Sequence, residues 1–343
     1  MSKVVDVIKN KTGVLLINLG TPDSPSTADV RSYLFQFLND PRVIDLPWLL
    51  RKILVNLIIV PFRAPKSAKI YQQLWTENGS PLLYYSNKVS QLLDDVLGED
   101  YTVHLAMRYK NPSIPDVLAE MKKFNYSRIV VLPMFPQYAS ASTGSALEMV
   151  MDEIGKWWAI PELKIISQYY DHPDFIDAVV DRASKYDLSD YDHVLFSYHG
   201  LPIRHVDKVY EEGLCTDREC EHEVTTENQY CYKASCFATT RLLADKLKLG
   251  EADYTVCFQS RLDKNWLEPF SDKVVETLAK QGAKKLLVLS PAFTADCLET
   301  VVEIGDEYQQ IFIENGGEKI QLVESLNDHP LWVNCLKKIV LDS

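Results

Sequence analysis

The sequence lacks the short motifs by which many α/β proteins bind nucleotides or cleave esters. None of its 13 glycines belongs to a Gly-x-Gly-x-x-Gly fingerprint, a Walker loop or a Gly-x-Ser-x-Gly elbow. It also has no uninterrupted apolar run of the roughly 20 residues that a membrane-crossing helix needs. These absences argue against nucleotide chemistry, acyl transfer and a membrane-spanning chain.

Positive charge is scarce as well. The chain has 36 lysines and arginines against 48 aspartates and glutamates, which gives a formal net charge of −12 at pH 7. Because phosphate binding needs a concentrated positive surface, this balance argues against nucleic acid and suits a cationic substrate better. The N-terminal residues carry charges and no apolar core, so we predict no signal peptide and a cytoplasmic location.

The two halves of the chain show the same order of strand-like and helix-like segments. Residues 101–109 are matched by 254–261, and residues 129–133 are matched by 285–291. Strands separated by helices at this rhythm are typical of parallel βαβ units. We therefore predict a duplicated, doubly wound α/β architecture. In such sheets ligands bind beyond the carboxyl ends of the strands, here in a cleft between the halves.

A histidine ends one of the predicted buried strands. Residues 192–202 run from an apolar strand into His199, which is followed by Gly-Leu-Pro, and residues 13–22 repeat the pattern without a titratable group. A neutral imidazole at a strand exit is suited to accepting protons. His199 is therefore the candidate base, with a hydrogen-bonded structural histidine as the alternative. The neighbouring His205 is expected at the surface.

Three glutamates follow the last predicted strand exit at helical spacing. Glu299, Glu303 and Glu307 stand at i, i+4 and i+8, which places them on one face of a helix. A solvated acidic face is the ordinary explanation. The alternative is a path for protons or a divalent metal, because the row starts at the cleft and has no lysine or arginine at i+4. Carboxylates this close raise one another's pKa or bind a cation.

An apolar segment lies between the first two strands. Residues 47–62 are almost wholly apolar, and the basic residues Arg63, Lys66 and Lys69 follow them. One interpretation is a buried helix. The other is a lip whose apolar side meets lipid or a large flat ligand while its cations meet anionic headgroups.

Four of the seven cysteines are clustered. They form the pattern C-x4-C-x10-C-x4-C at Cys215, Cys220, Cys231 and Cys236. The pairs are wider than the x2 spacing of zinc ribbons, and four thiolates also suit a 2Fe–2S cluster. Zinc, substitution by His222 as a ligand, and a cysteine-rich loop without metal are the alternatives. The other three cysteines are expected to be ordinary buried thiols.

Several longer motifs make the chain resemble ferrochelatases, which insert ferrous iron into a porphyrin at the end of haem synthesis. They are Asn-Leu-Gly-Thr-Pro at 18–22, Phe-Pro-Gln-Tyr at 135–138, Ser-Thr-Gly at 142–144, Ser-Tyr-His-Gly-Leu-Pro at 197–202, Phe-Gln-Ser-Arg at 258–261 and Phe-Thr-Ala-Asp-Cys-Leu-Glu-Thr at 293–300. The resemblance implies a chelatase-like fold of two similar Rossmann-like domains, each with a parallel four-stranded sheet, and a cleft between them.

The resemblance also implies roles for individual residues. His199 and Glu299 correspond to the catalytic pair that meets the substrate Fe²⁺, and Glu303 and Glu307 to a proton or metal path. The segment 47–62 corresponds to a lip over the porphyrin that rests on the inner leaflet of the membrane. The residues implied to contact the porphyrin are Leu19, Arg108, Tyr109, Tyr138, Ser140 and Ser142.

Two departures from the family pattern concern cysteine. Many members have a histidine where this chain has Cys297, and animal members bind an iron–sulfur cluster near a C-terminus that here holds only Cys335. The four-cysteine insert resembles the internal arrangement of some bacterial members, which implies a 2Fe–2S cluster, with zinc as the alternative.

The implied reaction is that of a lyase of haem synthesis, which inserts Fe²⁺ into protoporphyrin IX and releases two protons. Alternatives are coproporphyrin III as the substrate, a cobalt or nickel chelatase of another tetrapyrrole, and a two-lobed binding protein. The implied partners are the porphyrin, ferrous iron and the preceding enzyme of porphyrin synthesis. The predicted first domain covers 1–160, with the lip at about 40–80, and is joined by helix 326–343; the second covers 161–325, with the cysteine insert at about 205–237.

Overall fold

The computed structural model describes residues 11–343 of the chain. The prediction of a missing signal peptide concerned residues 1–10, which lie outside the described residues. Within residues 11–343 there are eight strands: β1 Thr12–Gly20, β2 Tyr101–Tyr109, β3 Arg128–Pro133, β4 Glu162–Ile165, β5 His193–His199, β6 Tyr254–Gln259, β7 Lys285–Leu289 and β8 Lys319–Leu322.

The strands form two four-stranded sheets with the same internal order. The first sheet runs β2-β1-β3-β4 and the second β6-β5-β7-β8, and every neighbouring pair is parallel. Each strand of the second sheet thus occupies the place of the strand four earlier in the chain. The predicted duplicated α/β fold with two parallel four-stranded sheets is confirmed, and β5, which ends at His199, is the counterpart of β1.

Helices cover both sheets. Within the described part of the chain the α-helices are α1 Thr27–Leu38, α2 Trp48–Ile53, α3 Val60–Leu74, α4 Pro81–Leu97, α5 Ile114–Lys123, α6 Ser145–Ile154, α7 Pro173–Ala183, α8 Ile203–Asp207, α9 Tyr232–Leu247, α10 Ser271–Lys280, α11 Gln309–Glu314 and α12 Pro330–Leu341. Wider, π-helical turns occur at Leu54–Ile59, Ser140–Gly144 and Glu299–Tyr308, and single 3₁₀ turns at Leu188–Asp190 and Cys215–Asp217.

Side chains on the two faces of β1 enter different cores. Val14 belongs to a cluster that also contains Phe196 of β5 and Trp332 of α12, so one core is continuous between the two sheets. Leu15 points the other way, into a cluster with Leu118 of α5. Because helices bury both faces of a parallel sheet, such a strand is apolar along its whole length. No helix within residues 11–343 is both long and apolar enough to cross a membrane.

The first sheet extends past the domain boundary placed at residue 160. Strand β4 pairs with β3, from Arg128 opposite Glu162 to Val131 opposite Ile165. This short edge strand alternates exposed and half-buried residues, so its sequence carries too little apolar signal to reveal it. The C-terminal helix α12 packs on both α4 and α7.

Candidate active site

The candidate site lies where strands of the second sheet end. His199 closes β5 and stands opposite Gln259 of β6 in the parallel register. Gln259 Nε2 donates to the backbone oxygen of Glu299, 2.8 Å away, in the π-helical segment that follows β7. The carboxyl ends of neighbouring parallel strands meet at one edge of a sheet, and this edge is shared by His199 and Glu299.

The His199 ring is fixed by the next residue. Nδ1 lies 2.6 Å from the carbonyl oxygen of Gly200, and because a carbonyl only accepts, Nδ1 is the donor. In the neutral tautomer with this donor, Nε2 is the acceptor. The rings of Trp266 and Phe293 stand 6.5 Å and 6.4 Å from the imidazole and form apolar walls. Glycine is required at 200, since a Cβ there would lie 2.7 Å from the backbone oxygen of Gln259.

Glu303 accepts hydrogen bonds from four donors. They are the backbone N and the Oγ of Ser260, at 2.8 Å and 2.5 Å, Gln259 Nε2 at 3.2 Å and the Tyr308 hydroxyl at 2.9 Å. Ser260 adopts a left-handed φ of 62°, a conformation that non-glycine residues rarely hold. Four donors use the accepting capacity of a carboxylate, so a metal ion would have to displace one of them to bind Glu303.

The rest of the acidic row differs from Glu303. Burial, together with the neighbouring charges of Glu303 and Asp306, raises the pKa of Glu307. The opposite side of the same π-helical segment packs Val302 into a core cluster formed by α1 and α3. The three glutamates therefore lie on one side of a π-helical segment whose other side packs against the lip helices. Within this row Glu303 is held by hydrogen bonds rather than solvated.

Two of the residues implied to contact the porphyrin are held in a buried network. Asp40 Oδ2 lies 2.5 Å from Arg108 Nη2, 2.9 Å from the Tyr109 hydroxyl and 2.5 Å from Ser145 Oγ. Burial of Tyr109 and its proximity to the Asp40 carboxylate raise the pKa of that tyrosine well above its usual value. Arg108 and Tyr109 thus fasten the base of the lip to β2 and α6.

A second group of implied porphyrin contacts lines a narrow cavity. Tyr138, Ser140 and His205 are among its lining residues. Arg42 donates to Ser140 Oγ over 2.9 Å and to Glu148 over 2.6 Å. Sequence reasoning missed Arg42; the signal available was its place directly after the Asp-Pro pair at 40–41, just before the apolar segment.

One face of the lip is exposed, while Val55 and Val60 of the lip pack into a core cluster. Helix α2, the π-helical turn and α3 form one continuous helical run, and its apolar side chains Trp48, Leu57 and Phe62 are 66%, 69% and 73% exposed. The interpretation of residues 47–62 as a buried helix is therefore wrong. The two remaining residues implied to contact the porphyrin lie in different places. Leu19 is half-buried and packs against the core cluster formed by α1 and α3. Ser142 follows β3, and its Oγ is 3.5 Å from the backbone oxygen of Ala139.

Three of the four clustered cysteines lie together. The sulfur atoms of Cys215, Cys220 and Cys231 are buried and within 4.8 Å of one another. The Cys215 thiol, 3.7 Å from Cys231, lowers the pKa of Cys231 by hydrogen bonding. Asn228 Nδ2 and the Tyr210 hydroxyl approach the Cys220 sulfur at 3.6 Å and 3.2 Å. Buried sulfurs surrounded by donors fit a metal bound by thiolates.

The fourth cysteine lies apart from this group. Cys236 is fully buried in α9, in the core cluster that contains Tyr198 and Tyr232. The alternative ligand His222 is 76% exposed and lies 3.9 Å from Glu219. His205, in contrast, is only 8% exposed and lies 3.1 Å from Asp45, so the expectation of a surface histidine is wrong.

The sequence model of the ferrochelatase family matches residues 11–343. The chain belongs to the ferrochelatase family. This confirms the family predicted from the motifs, and with it the expectation of ferrochelatase function at the level of the family.

Curated ferrochelatases are similar along almost their whole length. The ferrochelatase of Coxiella burnetii strain Dugway 5J108-111 is 45% identical over 338 residues, which cover 97% of this chain and 94% of the relative. The ferrochelatase of Legionella pneumophila strain Lens is 45% identical over 331 residues, 96% of this chain and 98% of the relative.

Solved structures share the fold at low sequence identity. SirB from Bacillus subtilis with Fe³⁺ is 11% identical and superposes with a TM-score of 0.54 over 97% of this chain and 95% of its own. The sirohydrochlorin chelatase SirB from Bacillus subtilis subspecies spizizenii in complex with cobalt is 12% identical, with a TM-score of 0.52 over 97% and 94%. The chelatase-like architecture predicted for this ferrochelatase-family chain is therefore confirmed.

Proposed function

We propose that this chain inserts Fe²⁺ into protoporphyrin IX with release of two protons, the last step of haem synthesis, and so acts as a lyase. The observation that carries the proposal is the geometry of His199, whose Nδ1 faces the Gly200 oxygen at 2.6 Å while Nε2 is left to accept a proton between two aromatic walls. Membership of the ferrochelatase family supports the same reaction.

Metallation replaces two pyrrole N–H protons with one metal ion, so a base has to stand near the centre of the macrocycle. The neutral imidazole of His199 takes the first proton at Nε2. Its neighbour at the sheet edge, Glu299, meets the incoming Fe²⁺ and the protons that leave. Glu303, whose oxygens are occupied by four donors, acts by orienting the segment that carries Glu299 and Glu307. Glu307, at the far end of the row, connects it to solvent.

The porphyrin lies in the cleft between this edge and the lip. Leu19 contributes to the apolar wall, and Tyr138 lies beside the macrocycle. Ser140 and Ser142 face the propionates, to which Arg42, 2.9 Å from Ser140 Oγ, adds a positive charge. Arg108 and Tyr109 act indirectly: they hold the base of the lip in place and do not contact the porphyrin themselves.

The test is anaerobic incubation of the purified protein with Fe²⁺ and either protoporphyrin IX or coproporphyrin III, followed by haem absorbance. His199→Ala is expected to lose about 100-fold or more of the rate, the usual contribution of a general base. His193→Gln, at the other end of β5, is the matched control and should keep the wild-type rate. An unchanged rate for His199→Ala would remove the catalytic assignment.

The choice of porphyrin is made by the same assay. The exposed apolar lip, with Trp48, Leu57 and Phe62, favours protoporphyrin IX, whose vinyl groups replace two of the four propionates of coproporphyrin III. Preference for coproporphyrin III would make this chain a coproporphyrin ferrochelatase. Insertion of Co²⁺ or Ni²⁺ in preference to Fe²⁺ would make this chain a cobalt or nickel chelatase.

We propose that Cys215, Cys220, Cys231 and Cys236 hold a 2Fe–2S cluster, with zinc as the alternative. Three of the sulfurs lie within 4.8 Å of one another, and Cys236 lies in α9, whose N-cap is Cys231. A freshly purified, reddish-brown protein whose visible absorption is lost on Cys220→Ser supports the cluster. A colourless protein with one zinc per chain rejects it. Cys335→Ser, outside the group, is the control.

We also propose that the chain works in the cytoplasm and rests on the inner leaflet through residues 47–62. Exposed apolar side chains on an amphipathic helical run, followed by the cations Arg63, Lys66 and Lys69, are typical of interfacial binding. The same surface is where the preceding enzyme of porphyrin synthesis would deliver an insoluble substrate.

A further inference from the structure

One carboxylate at the base of the lip is held by cations from the second half of the chain. Asp45 accepts three hydrogen bonds from Arg204, at 2.7 Å, 3.0 Å and 3.2 Å, and one from Lys208 at 2.6 Å. His205 Nε2 lies 3.1 Å away. All three partners belong to α8 or directly follow it. The Asp45 side chain is 13% exposed. A partly buried carboxylate held by a bidentate arginine and a lysine is a stronger contact than a single surface ion pair.

The loop around Asp45 has a second anchor on its own side. Arg51 of α2 is buried, and its Nη1 donates to the backbone oxygen of Leu46 over 2.9 Å. Although partial burial opposes it, the hydrogen bonds from Arg204 and Lys208, with the His205 ring close by, hold the pKa of Asp45 well below its usual range. The Asp45 carboxylate therefore stays ionised at neutral pH and keeps its loop against α8. Helix α2 and the rest of the lip follow this loop directly in the chain.

Helix α8 also contacts the cysteine site. Asp207 Oδ1 accepts a hydrogen bond from the backbone N of Cys215 over 2.9 Å. The same short helix also lines the cavity of Tyr138 and Ser140, through His205 and Val206. Five consecutive residues thus connect the sulfur ligands, the porphyrin cavity and the lip.

We propose that Asp45 is a positioning residue for the reaction: it latches the lip to α8, and through Asp207 and Cys215 it makes the position of the lip depend on metal at the cysteine site. The inference rests on the proposed role of residues 47–62 as a porphyrin lip. With metal bound, the Cys215 backbone is fixed, α8 is fixed with it, and the lip is held over the cleft. Without metal, α8 and the lip loosen together.

The test is hydrogen exchange of the full-length protein, measured by mass spectrometry on peptides from residues 46–62. The wild type, Asp45→Asn and Asp177→Asn are compared after loading with Zn²⁺ and after its removal by a chelator. Asp177 pairs with Lys246 on an exposed surface of α7 and is the matched control. Exchange needs no turnover, so the result is independent of whether the chain proves to be a ferrochelatase.

We expect zinc to slow lip exchange roughly tenfold in the wild type and in Asp177→Asn, the effect of a few ion pairs at one carboxylate. In Asp45→Asn exchange should be fast and insensitive to zinc. Zinc content must stay equal in the three proteins, which shows that the site itself is intact. Equal responses to zinc in Asp45→Asn and the wild type, or no response in the wild type, would overturn the proposal.

A kinetic measurement separates positioning from loss of fold. Asp45→Asn should raise the KM for porphyrin several-fold and leave kcat near the wild-type value, because the lip contributes to substrate binding and not to proton transfer. Thermal unfolding of the same sample shows whether the fold is retained. A lowered kcat at unchanged KM would also overturn the positioning role.

Discussion

Arg108 and Asp40 form an ion pair that is almost enclosed by protein, with 2.5 Å between Nη2 and Oδ2 and side-chain exposures of 13% and 1%. The pair joins the end of β2 to the loop that begins the lip. Its cost in desolvation is high, and such pairs are tolerated only where further hydrogen bonds complete them. Here Tyr109 and Ser145 supply those bonds.

Removal of the arginine should therefore destabilise the whole chain. In Arg108→Met the Asp40 carboxylate stays buried without its countercharge, and we expect the free energy of unfolding to fall by about 3 kcal/mol or more, measured by urea denaturation at neutral pH. Arg261→Met breaks a pair with Asp272 whose side chains are 31% and 30% exposed, so its effect should be smaller. Wild-type stability with weakened porphyrin binding would instead make Arg108 a direct porphyrin contact.

The acidic row should respond unequally to substitution. Glu303→Gln replaces one accepting oxygen with an amide NH2, which is a donor and would face other donors such as the backbone N and hydroxyl of Ser260. We expect kcat/KM for iron insertion to fall about 10-fold to 100-fold, as for residues that orient a metal site. Glu307→Gln, one turn further along, should have a much smaller effect. Equal losses in the two variants would favour a relay in which every carboxylate carries protons or metal.

Two partly buried histidines should make stability depend on pH. His104 Nε2 and His193 Nε2 lie 2.8 Å from the hydroxyls of Tyr126 and Thr255, respectively, and burial lowers the pKa of both rings below 6.5. The unfolded chain then binds protons that the folded chain does not, so stability is retained above pH 6.5 and falls as the pH drops below it.

The measurement is the urea midpoint at pH 7 and at pH 5. A double variant with glutamine at 104 and 193 should lose less stability on acidification than the wild type does. His222→Gln, whose side chain is 76% exposed, is the control and should behave like the wild type. An acid-induced loss that is the same in all three proteins would assign it to other groups.

The lip should determine membrane binding. Leu57→Glu and Phe62→Glu each replace a side chain that would enter the lipid interface, worth roughly 1.5–3 kcal/mol when buried. Sedimentation with vesicles containing anionic phospholipid should show at least about tenfold weaker binding for either variant. Trp158→Glu changes an even more exposed apolar residue outside the lip and should bind like the wild type. Weaker binding by all three variants would indicate a non-specific effect of charge.

Local sequence patterns predict much of the fold and part of the candidate site. The apolar runs that end at Pro133 and at His199 identified β3 and β5, since strands buried on both faces are apolar throughout. The sequence contains the motif with Gln259 and Ser260, but it does not predict the four-donor arrangement around Glu303. That arrangement depends on a left-handed φ at Ser260, which a serine in the sequence does not predict.

The sequence by itself determined the alternation of strands and helices, its duplication, the histidine at a strand exit and the spacing of four cysteines, because these are properties of neighbouring residues. Tertiary structure decided which distant groups meet. It paired β4 with the first sheet, put Arg108 on Asp40 and α8 on Asp45, and brought three of the four clustered sulfurs within 4.8 Å of one another. Such contacts join segments far apart in the chain, and their energy comes from burial and hydrogen bonding that local propensity does not encode.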